Sequence, residues 1–253
     1  RRVLSVLALP LLLFAGWFVL SDGSENFYAP PLRDILRAFA DTWTPDRLRA
    51  DVLPSLLRLG GGWLLAGVLG VALGVAIGLN RRLRAVGEPV LEFFRAIPPP
   101  VLVPVIMLFA GIGTGMKLIV IVFGCVWPVL LNTVEGVRAV DSVQIETARA
   151  YGINGFARIR RLVLPAASPQ IAAGLRQALS IAIILMVISE MFASSNGLGF
   201  TIVQFQRSFA IPEMWSGIIL LGLLGFGLSL LFRLAEGRAL RWYDGLRAAQ
   251  RRS

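Results

Sequence analysis

The sequence predicts an all-α, polytopic membrane protein, and three observations support this fold class. Of the 253 residues, 56% are hydrophobic and only 16% are charged, whereas soluble globular chains carry roughly 25% charged residues. Several stretches are almost free of charge and approach the length of about 20 residues that a helix needs to cross a bilayer. The basic residues are concentrated in alternate segments between these stretches. Residues 1–253 are therefore expected to form a single transmembrane domain.

Six membrane-spanning helices are predicted from the uncharged stretches, at residues 3–20, 59–79, 96–116, 118–134, 177–196 and 214–232. The first stretch follows Arg1 and Arg2 and could instead be a signal peptide. No clear cleavage site of small residues follows it, so a retained helix is favoured. Because the chain begins without methionine, we expect further residues upstream in the natural protein.

The distribution of basic residues predicts the orientation of these spans. With the N-terminus inside, 18 of the 25 Lys and Arg residues fall in inner segments. Both termini are therefore expected in the cytoplasm, and the chain is expected in the cytoplasmic (inner) membrane of a bacterium.

Composition also excludes several classes of function. The net charge of +10 could suggest nucleic-acid binding, but the arginines border apolar segments and form no single soluble basic face. The sequence has no histidine and one cysteine, Cys125, which removes imidazole metal sites and His-dependent acid–base chemistry. No metal site and no catalytic residue is predicted.

Two local patterns predict helix packing. Leu32, Ile35, Leu36 and Phe39 recur at helical spacing between charges, as in a helix on the outer membrane surface or in an ordinary packed loop helix. Glycines stand four apart in the second span, which favours close packing against another helix of the same chain over a dimer contact. These glycines are Gly70, Gly74 and Gly78.

The third span contains four prolines near its start, at Pro98, Pro99, Pro100 and Pro104. Proline cannot donate a backbone hydrogen bond and disturbs the preceding turn. A bilayer tolerates such a break only where protein or a water-filled cavity surrounds it. The break is expected either to face a translocation path or to be a simple kink.

Glu190 lies inside a predicted span, where an ionised carboxylate costs about 2.5–3.5 kcal/mol on insertion scales. It is expected to be protonated or paired. It could lie on a translocation pathway, or it could be a structural carboxyl that hydrogen-bonds to backbone or to a hydroxyl such as Ser189 or Ser194.

The longest inner segment, residues 135–176, is unusually polar, and a loop of this length usually has a function. Ala148 and Tyr151 favour a helix, and Gly152 with Asn154-Gly155 predicts a turn after it. A second short helix is expected to stop near Pro165. A helix, a turn and a second helix suit docking to a partner.

This segment resembles the cytoplasmic coupling motif of ATP-binding-cassette (ABC) importer permeases. The motif reads Glu-Ala-Ala, three residues, Gly, nine residues, Ile, one residue, Leu-Pro. Glu146, Ala148, Gly152, Leu164 and Pro165 match it, whereas Thr147 replaces the first Ala and Leu162 replaces Ile.

The resemblance covers almost the whole chain and is greatest to the nitrate/sulfonate/taurine-type permeases, the binding-protein-dependent transport inner membrane components. The matching stretches are "PPPVLVPVIMLFAGIGTGMK", with Gly111, Gly113 and Lys117, and "SEMFASSNGLGFTI", with Glu190 and residues 197–200. The stretch "GIGTGMK" is no phosphate-binding loop, because it lacks Gly before its Lys and has Leu118 where Ser or Thr is required.

The resemblance implies the type I ABC importer permease fold and a non-catalytic pore subunit. Its implied partners are two ATP-binding cassette ATPase subunits, a solute-binding protein and a second permease copy, most simply as a homodimer in the lipid bilayer. The chain itself would bind no cofactor, and ATP and Mg would be bound by the ATPase subunits. The implied cargo is a small sulfonate such as taurine, with nitrate, bicarbonate or a pyrimidine precursor as alternatives.

Two sets of site residues are predicted on this basis. The ATPase-docking set consists of Glu146, Thr147, Ala148, Arg149, Ala150, Tyr151, Gly152, Asn154, Gly155, Phe156, Leu164 and Pro165. The translocation-pathway set, for which core packing is the alternative, consists of Pro100, Val105, Phe109, Met186, Ser189, Glu190 and Phe192.

Two other classes of protein compete with this interpretation. An intramembrane enzyme would need paired catalytic groups at membrane depth, and only Glu190 is a candidate. An uncoupled secondary carrier usually shows inverted repeats and polar clusters at the midplane, and the sequence shows neither.

Overall fold

The computed structural model of the chain describes residues 12, 14–24, 26–192 and 194–243. Within these ranges the protein is helical and has no β-strand, which confirms the all-α prediction. The helices are α1 (residues 14–21), α2 (Leu32–Thr42), α3 (Pro45–Leu79), α4 (Arg81–Ala96), α5 (Val103–Ala110), α6 (Thr114–Arg138), α7 (Ser142–Ala150), α8 (Gly155–Phe192), α9 (Leu198–Arg207) and α10 (Ile211–Ala239).

Four of the described helices, α3, α6, α8 and α10, are long and apolar enough to cross a membrane. A fifth crossing is possible if the segments Pro89–Ala96 and Pro99–Ala110 form one broken span, with a bend of 79° between them. Most of the predicted first span, residues 3–20, lies outside the described residues. The count of six spans therefore stays a prediction.

The predicted third span, residues 96–116, is not one continuous helix, and its break lies at the prolines that the sequence singled out. The chain leaves α4 at Ile97, makes a 3₁₀ turn at Pro99–Leu102, and continues as the eight-residue helix α5. At 1.5 Å per residue α5 is about 12 Å long, which is too short to cross a bilayer. Gly111, with φ of +70°, then ends α5.

The helix after the predicted turn does not stop near Pro165, as the sequence suggested, but continues as α8 to Phe192. A π-helical turn at Ile159–Val163 immediately precedes this proline. A similar π turn at Leu48–Val52 precedes Pro54 in α3. Proline removes the i→i−4 hydrogen bond and clashes with that carbonyl, and a widened turn before the ring accommodates both effects.

The core is a three-helix arrangement of α3, α6 and α8, and glycines in α3 allow the closest approach to α6. An added Cβ atom on Gly70, Gly74 or Gly78 would lie 2.6–2.8 Å from side-chain atoms of α6. The prediction that these glycines pack against a helix of the same chain is confirmed. Around this seam lie buried apolar side chains, including Ile121, Val129, Ala178 and Leu185.

The segment predicted as an amphipathic or packed helix forms α2, which packs against α10. Leu32 and Ile35 are buried, whereas Leu36 is half exposed. At the end of α2 the indole Nε1 of Trp43 donates to Oγ of Ser216 on α10, at 3.0 Å. The packed-helix alternative therefore describes this segment.

Candidate functional site

The predicted coupling segment begins with α7, which starts at a capped N-terminus. Asp141 precedes the helix, and its carboxylate accepts a hydrogen bond from the backbone N–H of Val143 at 2.8 Å. This is the usual role of an aspartate at an N-cap. Within α7, the hydroxyl of Thr147 donates to the carbonyl of Val143 at 2.8 Å, so the hydroxyl that replaces the motif's alanine methyl is satisfied locally.

A glycine turn separates α7 from α8, as the sequence predicts. Gly152 has φ of +73°, the left-handed conformation that ends many helices. The N–H of Ile153 donates to the carbonyl of Ala148 at 2.8 Å and the N–H of Gly152 to that of Arg149 at 2.9 Å. Gly155, with φ of +53°, begins α8.

Two large aromatic side chains stand exposed on either side of this turn. Tyr151 is 80% exposed and Phe156 is 76% exposed. A groove of about 340 Å³ lies beside Tyr151, lined by Val143, Gln144, Thr147, Ala148, Tyr151, Ile153, Arg161 and Leu162. Exposed aromatics beside a groove are typical of the anchor points of protein interfaces.

The predicted docking residues fall into two groups in the structure. Ala148 is buried and Leu164 is half-buried, so these two hold the segment against the rest of the chain. The other predicted docking residues are exposed, namely Glu146, Thr147, Arg149, Ala150, Tyr151, Gly152, Asn154, Gly155, Phe156 and Pro165.

Glu190 lies in a buried polar cluster at one end of the helix bundle. The distribution of basic residues predicts that this end faces the outside of the cell. The Oε1 atom of Glu190 is 2.7 Å from Nη1 of Arg58, and the Glu190 and Arg58 side chains are 0% and 8% exposed. The Ser55 hydroxyl lies 2.8 and 2.9 Å from the two carboxylate oxygens. The backbone N–H of Gly199 donates to Oε2 at 3.0 Å. A buried carboxylate with these partners is satisfied in its ionised form.

The cluster extends to the loop that follows α8. The Nη2 atom of Arg58 donates to Oδ1 of Asn196 at 2.6 Å, and the Ser55 hydroxyl accepts from the N–H of Leu198 at 2.9 Å. The buried Lys117 at the start of α6 donates to the Ser194 hydroxyl at 2.5 Å. One network thus joins the ends of α3, α6, α8 and α9.

Gly197 is required at its position in this network for two reasons. Its φ is +117°, a conformation that residues with a side chain rarely adopt. A Cβ atom there would lie 2.5 Å from the carboxyl carbon of Glu190. The glycine at position 197 in the stretch "SEMFASSNGLGFTI", which resembles the family sequence, therefore has a structural explanation.

The carboxylate of Glu190 bonds to backbone and to a hydroxyl, as the sequence suggested, but the hydroxyl is that of Ser55 and not that of Ser189 or Ser194. Ser189 instead donates to the carbonyl of Met186 at 2.9 Å, and Ser194 contacts Lys117 and the carbonyl of Asn196. Sequence reasoning missed Ser55 and Arg58, although a buried carboxylate requires a cation and Arg58 is the basic residue at the outer boundary of the second predicted span. The cation that pairs with a buried carboxylate can be sought among the basic residues that are predicted to lie at the same depth in the membrane.

The predicted pathway residues do not form one surface within the chain. Met186, Ser189 and Glu190 are buried in the core, whereas Val105, Phe109 and Phe192 are exposed. Pro100 is half-buried and lines a cleft of about 430 Å³ between the bent segment and α6 and α8. This cleft also contains Asn132 and Gln177, whose amides lie 3.3 Å apart. Sequence reasoning missed this polar pair.

Comparison with known proteins gives one family match, over residues 66–241. The family is described as the binding-protein-dependent transport system inner membrane component.

Several named proteins are similar over much of the chain. A Bacillus subtilis protein named as an aliphatic sulfonates transport permease, SsuC, is 29% identical and aligned over 94% of this chain and 88% of its own. The Escherichia coli taurine transport system permease TauC is 27% identical, over 95% and 90%. The Synechococcus elongatus bicarbonate transport system permease CmpB is 31% identical, over 69% and 63%.

Among solved structures, an inward-facing conformation of the MetNI methionine ABC transporter contains a chain of similar fold. The TM-score is 0.62 at 21% sequence identity, and the match covers 77% of this chain and 94% of the other. At this level of identity the likeness concerns the fold.

Proposed function

The chain belongs to the binding-protein-dependent transport system inner membrane components, and from this premise we propose how its surfaces serve import. It is the permease subunit of an ABC importer and has no catalytic role of its own. We propose that two copies form the pore, that ATP and Mg bind to two partner ATPase subunits, and that a solute-binding protein delivers the cargo. Both termini are then cytoplasmic.

The helix–turn–helix at residues 146–165 is proposed as the docking site for the ATPase subunit. The main observation that supports this docking site is that Tyr151 and Phe156 are exposed on either side of a turn that depends on Gly152. Exposing two aromatics to water is unfavourable, and a partner groove would bury them. ATP must favour one pore conformation through differential contacts, and this exposed segment would transmit that preference to α8.

α8 gives the docking segment a direct connection to the outer end of the pore. It runs without interruption from Gly155 beside the turn to Phe192, so it includes Glu190 of the buried network. At 1.5 Å per residue this helix spans about 57 Å. A displacement at the docking segment would therefore move a helix that the Arg58–Glu190 pair fastens to α3.

Docking is tested by co-purification of the chain with its candidate ATPase. Tyr151→Ala is expected to weaken the complex by roughly 30-fold or more, as for the removal of an interface anchor. The matched control is Tyr28→Ala, because Tyr28 is also exposed but lies at the predicted outer end. If both variants retain the ATPase equally, residues 146–165 are not the docking site.

A small organosulfonate such as taurine is the proposed cargo, because SsuC and TauC align over more than nine-tenths of this chain. Bicarbonate is the alternative that the name of CmpB supports. Proteoliposomes that contain the assembled importer should accumulate labelled taurine when its binding protein and ATP are supplied. Accumulation of bicarbonate or nitrate without taurine uptake would contradict the sulfonate proposal and leave the importer assignment intact.

A further inference from the structure

The cleft of about 430 Å³ lies between α6, α8 and the bent segment, which consists of Pro89–Ala96 and Pro99–Ala110. This volume is within the usual range for small-molecule sites. Arg95 lines the cleft but is paired with Glu92 at 2.6 Å, and no carboxylate is among the lining residues that the structure describes. The wall includes six apolar side chains, namely Pro99, Pro100, Leu131, Ile181, Ile184 and Leu185.

The unpaired polar groups of this cleft are neutral hydrogen-bond donors. Nδ2 of Asn132 donates to the carbonyl of Pro128 at 2.8 Å and to Oε1 of Gln177 at 3.3 Å. The amide oxygen of Gln177 is thereby used, whereas its Nε2 has no acceptor in the described part of the chain. Nε1 of Trp127, which can only donate, is buried and has no partner there either. Because solvent does not reach that indole nitrogen, Gln177 is the donor that a ligand would meet first.

The side of α8 that borders the cleft carries exposed polar residues. Gln177, Ser180 and Ile184 are exposed, and their spacing of three and four residues places them on one face of the helix. Both α6 and α8 are long and apolar enough to cross the membrane. Polar side chains in such helices usually face a bundle interior or a water-filled cavity, because lipid offers them no hydrogen bonds. We therefore expect this face of α8 to line the translocation pathway.

We propose that the cleft is a transient binding site for an alkanesulfonate, with the sulfonate oxygens at Gln177 and the alkyl group against the apolar wall. This inference rests on the proposed import function and specifies where the permease contacts its cargo. A sulfonate offers several oxygen acceptors to donors that have none, and its alkyl group gains from contact with apolar side chains. Bicarbonate and nitrate have no alkyl group and would leave that wall without a contact. Without a free cation the site holds an anion loosely, which suits a site that must also release its cargo.

Protection of an introduced cysteine tests this site without a transport measurement. Ile184→Cys places a thiol on the exposed part of the cleft wall, whereas the native Cys125 is buried. The full chain, assembled with its ATPase, is labelled with N-ethylmaleimide in the presence of ethanesulfonate or bicarbonate. Ethanesulfonate should slow the labelling of Ile184→Cys in a saturable manner, and bicarbonate at the same concentration should not.

Two substitutions of Gln177 in the Ile184→Cys background test the assigned donor. Gln177→Leu should raise the ethanesulfonate concentration for half-protection about tenfold, because it removes a hydrogen bond to a charged group. Gln177→Glu keeps the size and polarity of the side chain, but its carboxylate repels the sulfonate and should abolish protection. The matched control is Gln206→Leu, the same change at an exposed position of α9 outside the cleft, which should leave protection unchanged. Unaltered co-purification of each variant with the ATPase shows that the fold survives.

Three outcomes would overturn the proposal. They are the absence of protection by ethanesulfonate, equal protection by bicarbonate, and protection that survives Gln177→Leu. Failure of the site is distinguishable from failure of the proposed function. An importer that assembles and accumulates taurine while ethanesulfonate gives no protection would lack only this site. A chain that never binds the ATPase can still be labelled alone, and protection there would leave the site in place without the importer.

Discussion

Replacing Arg58 by methionine tests the ion pair that joins α3 to α8. The substitution keeps an elongated side chain but leaves the carboxylate of Glu190 without a cation, in a position that is 0% exposed. Removing one partner of a buried ion pair typically costs about 3–5 kcal/mol. Ser55 and the N–H of Gly199 still donate to the carboxylate, so we expect a loss near the lower end of this range, about 3 kcal/mol.

The control is an ion pair of nearly the same length at an exposed position. Arg95 and Glu92 lie 2.6 Å apart, and their side chains are 53% and 62% exposed. An exposed pair contributes about 0–1 kcal/mol, so Arg95→Met should have a small effect. The free energy of unfolding is measured in mixed detergent–SDS micelles by tryptophan fluorescence. The double variant Arg58→Met/Glu190→Gln should be less destabilised than the sum of the single variants, because it removes both charges. Equal costs for Arg58→Met and Arg95→Met would refute the reasoning.

Two glycine substitutions test the close contacts in the same unfolding assay. Gly197→Ala should lower the free energy of unfolding by about 1–3 kcal/mol, because residue 197 has a positive φ and an added Cβ atom would contact Glu190. Gly113→Ala is the control and should cost much less, because residue 113 is in extended backbone and nothing lies near the added methyl group. A smaller loss for Gly197→Ala than for Gly113→Ala would contradict the geometry. Gly74→Ala should cost about 1–3 kcal/mol through overpacking against α6, whereas Gly61→Ala leaves 3.6 Å to its neighbour and should be nearly neutral. Equal stability of these two variants would argue against the α3–α6 seam.

Features encoded within a few residues could be predicted from the sequence. The α7–turn–α8 segment depends on Gly152 and Asn154-Gly155, because a left-handed residue ends a helix wherever it occurs. The packing of the α3 glycines follows from their spacing of four, which places them on one face. The bend near Pro98 follows from the missing backbone donors.

Features that depend on distant residues could not be predicted. Glu190 and Arg58 are separated by 132 positions, and charge and depth alone do not select a partner among several hydroxyls and cations. The continuation of α8 through Pro165 depends on the π turn at Ile159–Val163, for which the sequence has no simple pattern. A pocket of about 360 Å³ is lined by Arg84, Arg138, Arg149 and Arg158, which come from four different helices, and only the tertiary structure shows this convergence.

ATP turnover by the assembled importer in lipid nanodiscs tests the central claim, that residues 146–165 couple the ATPase to the pore. Gly152→Pro should disrupt the turn, because proline cannot adopt the φ of +73° found there. We expect taurine-loaded binding protein to stimulate turnover in wild type but not in Gly152→Pro, while Gly113→Ala behaves as wild type. Equal stimulation of wild type and Gly152→Pro would contradict the coupling role of this segment.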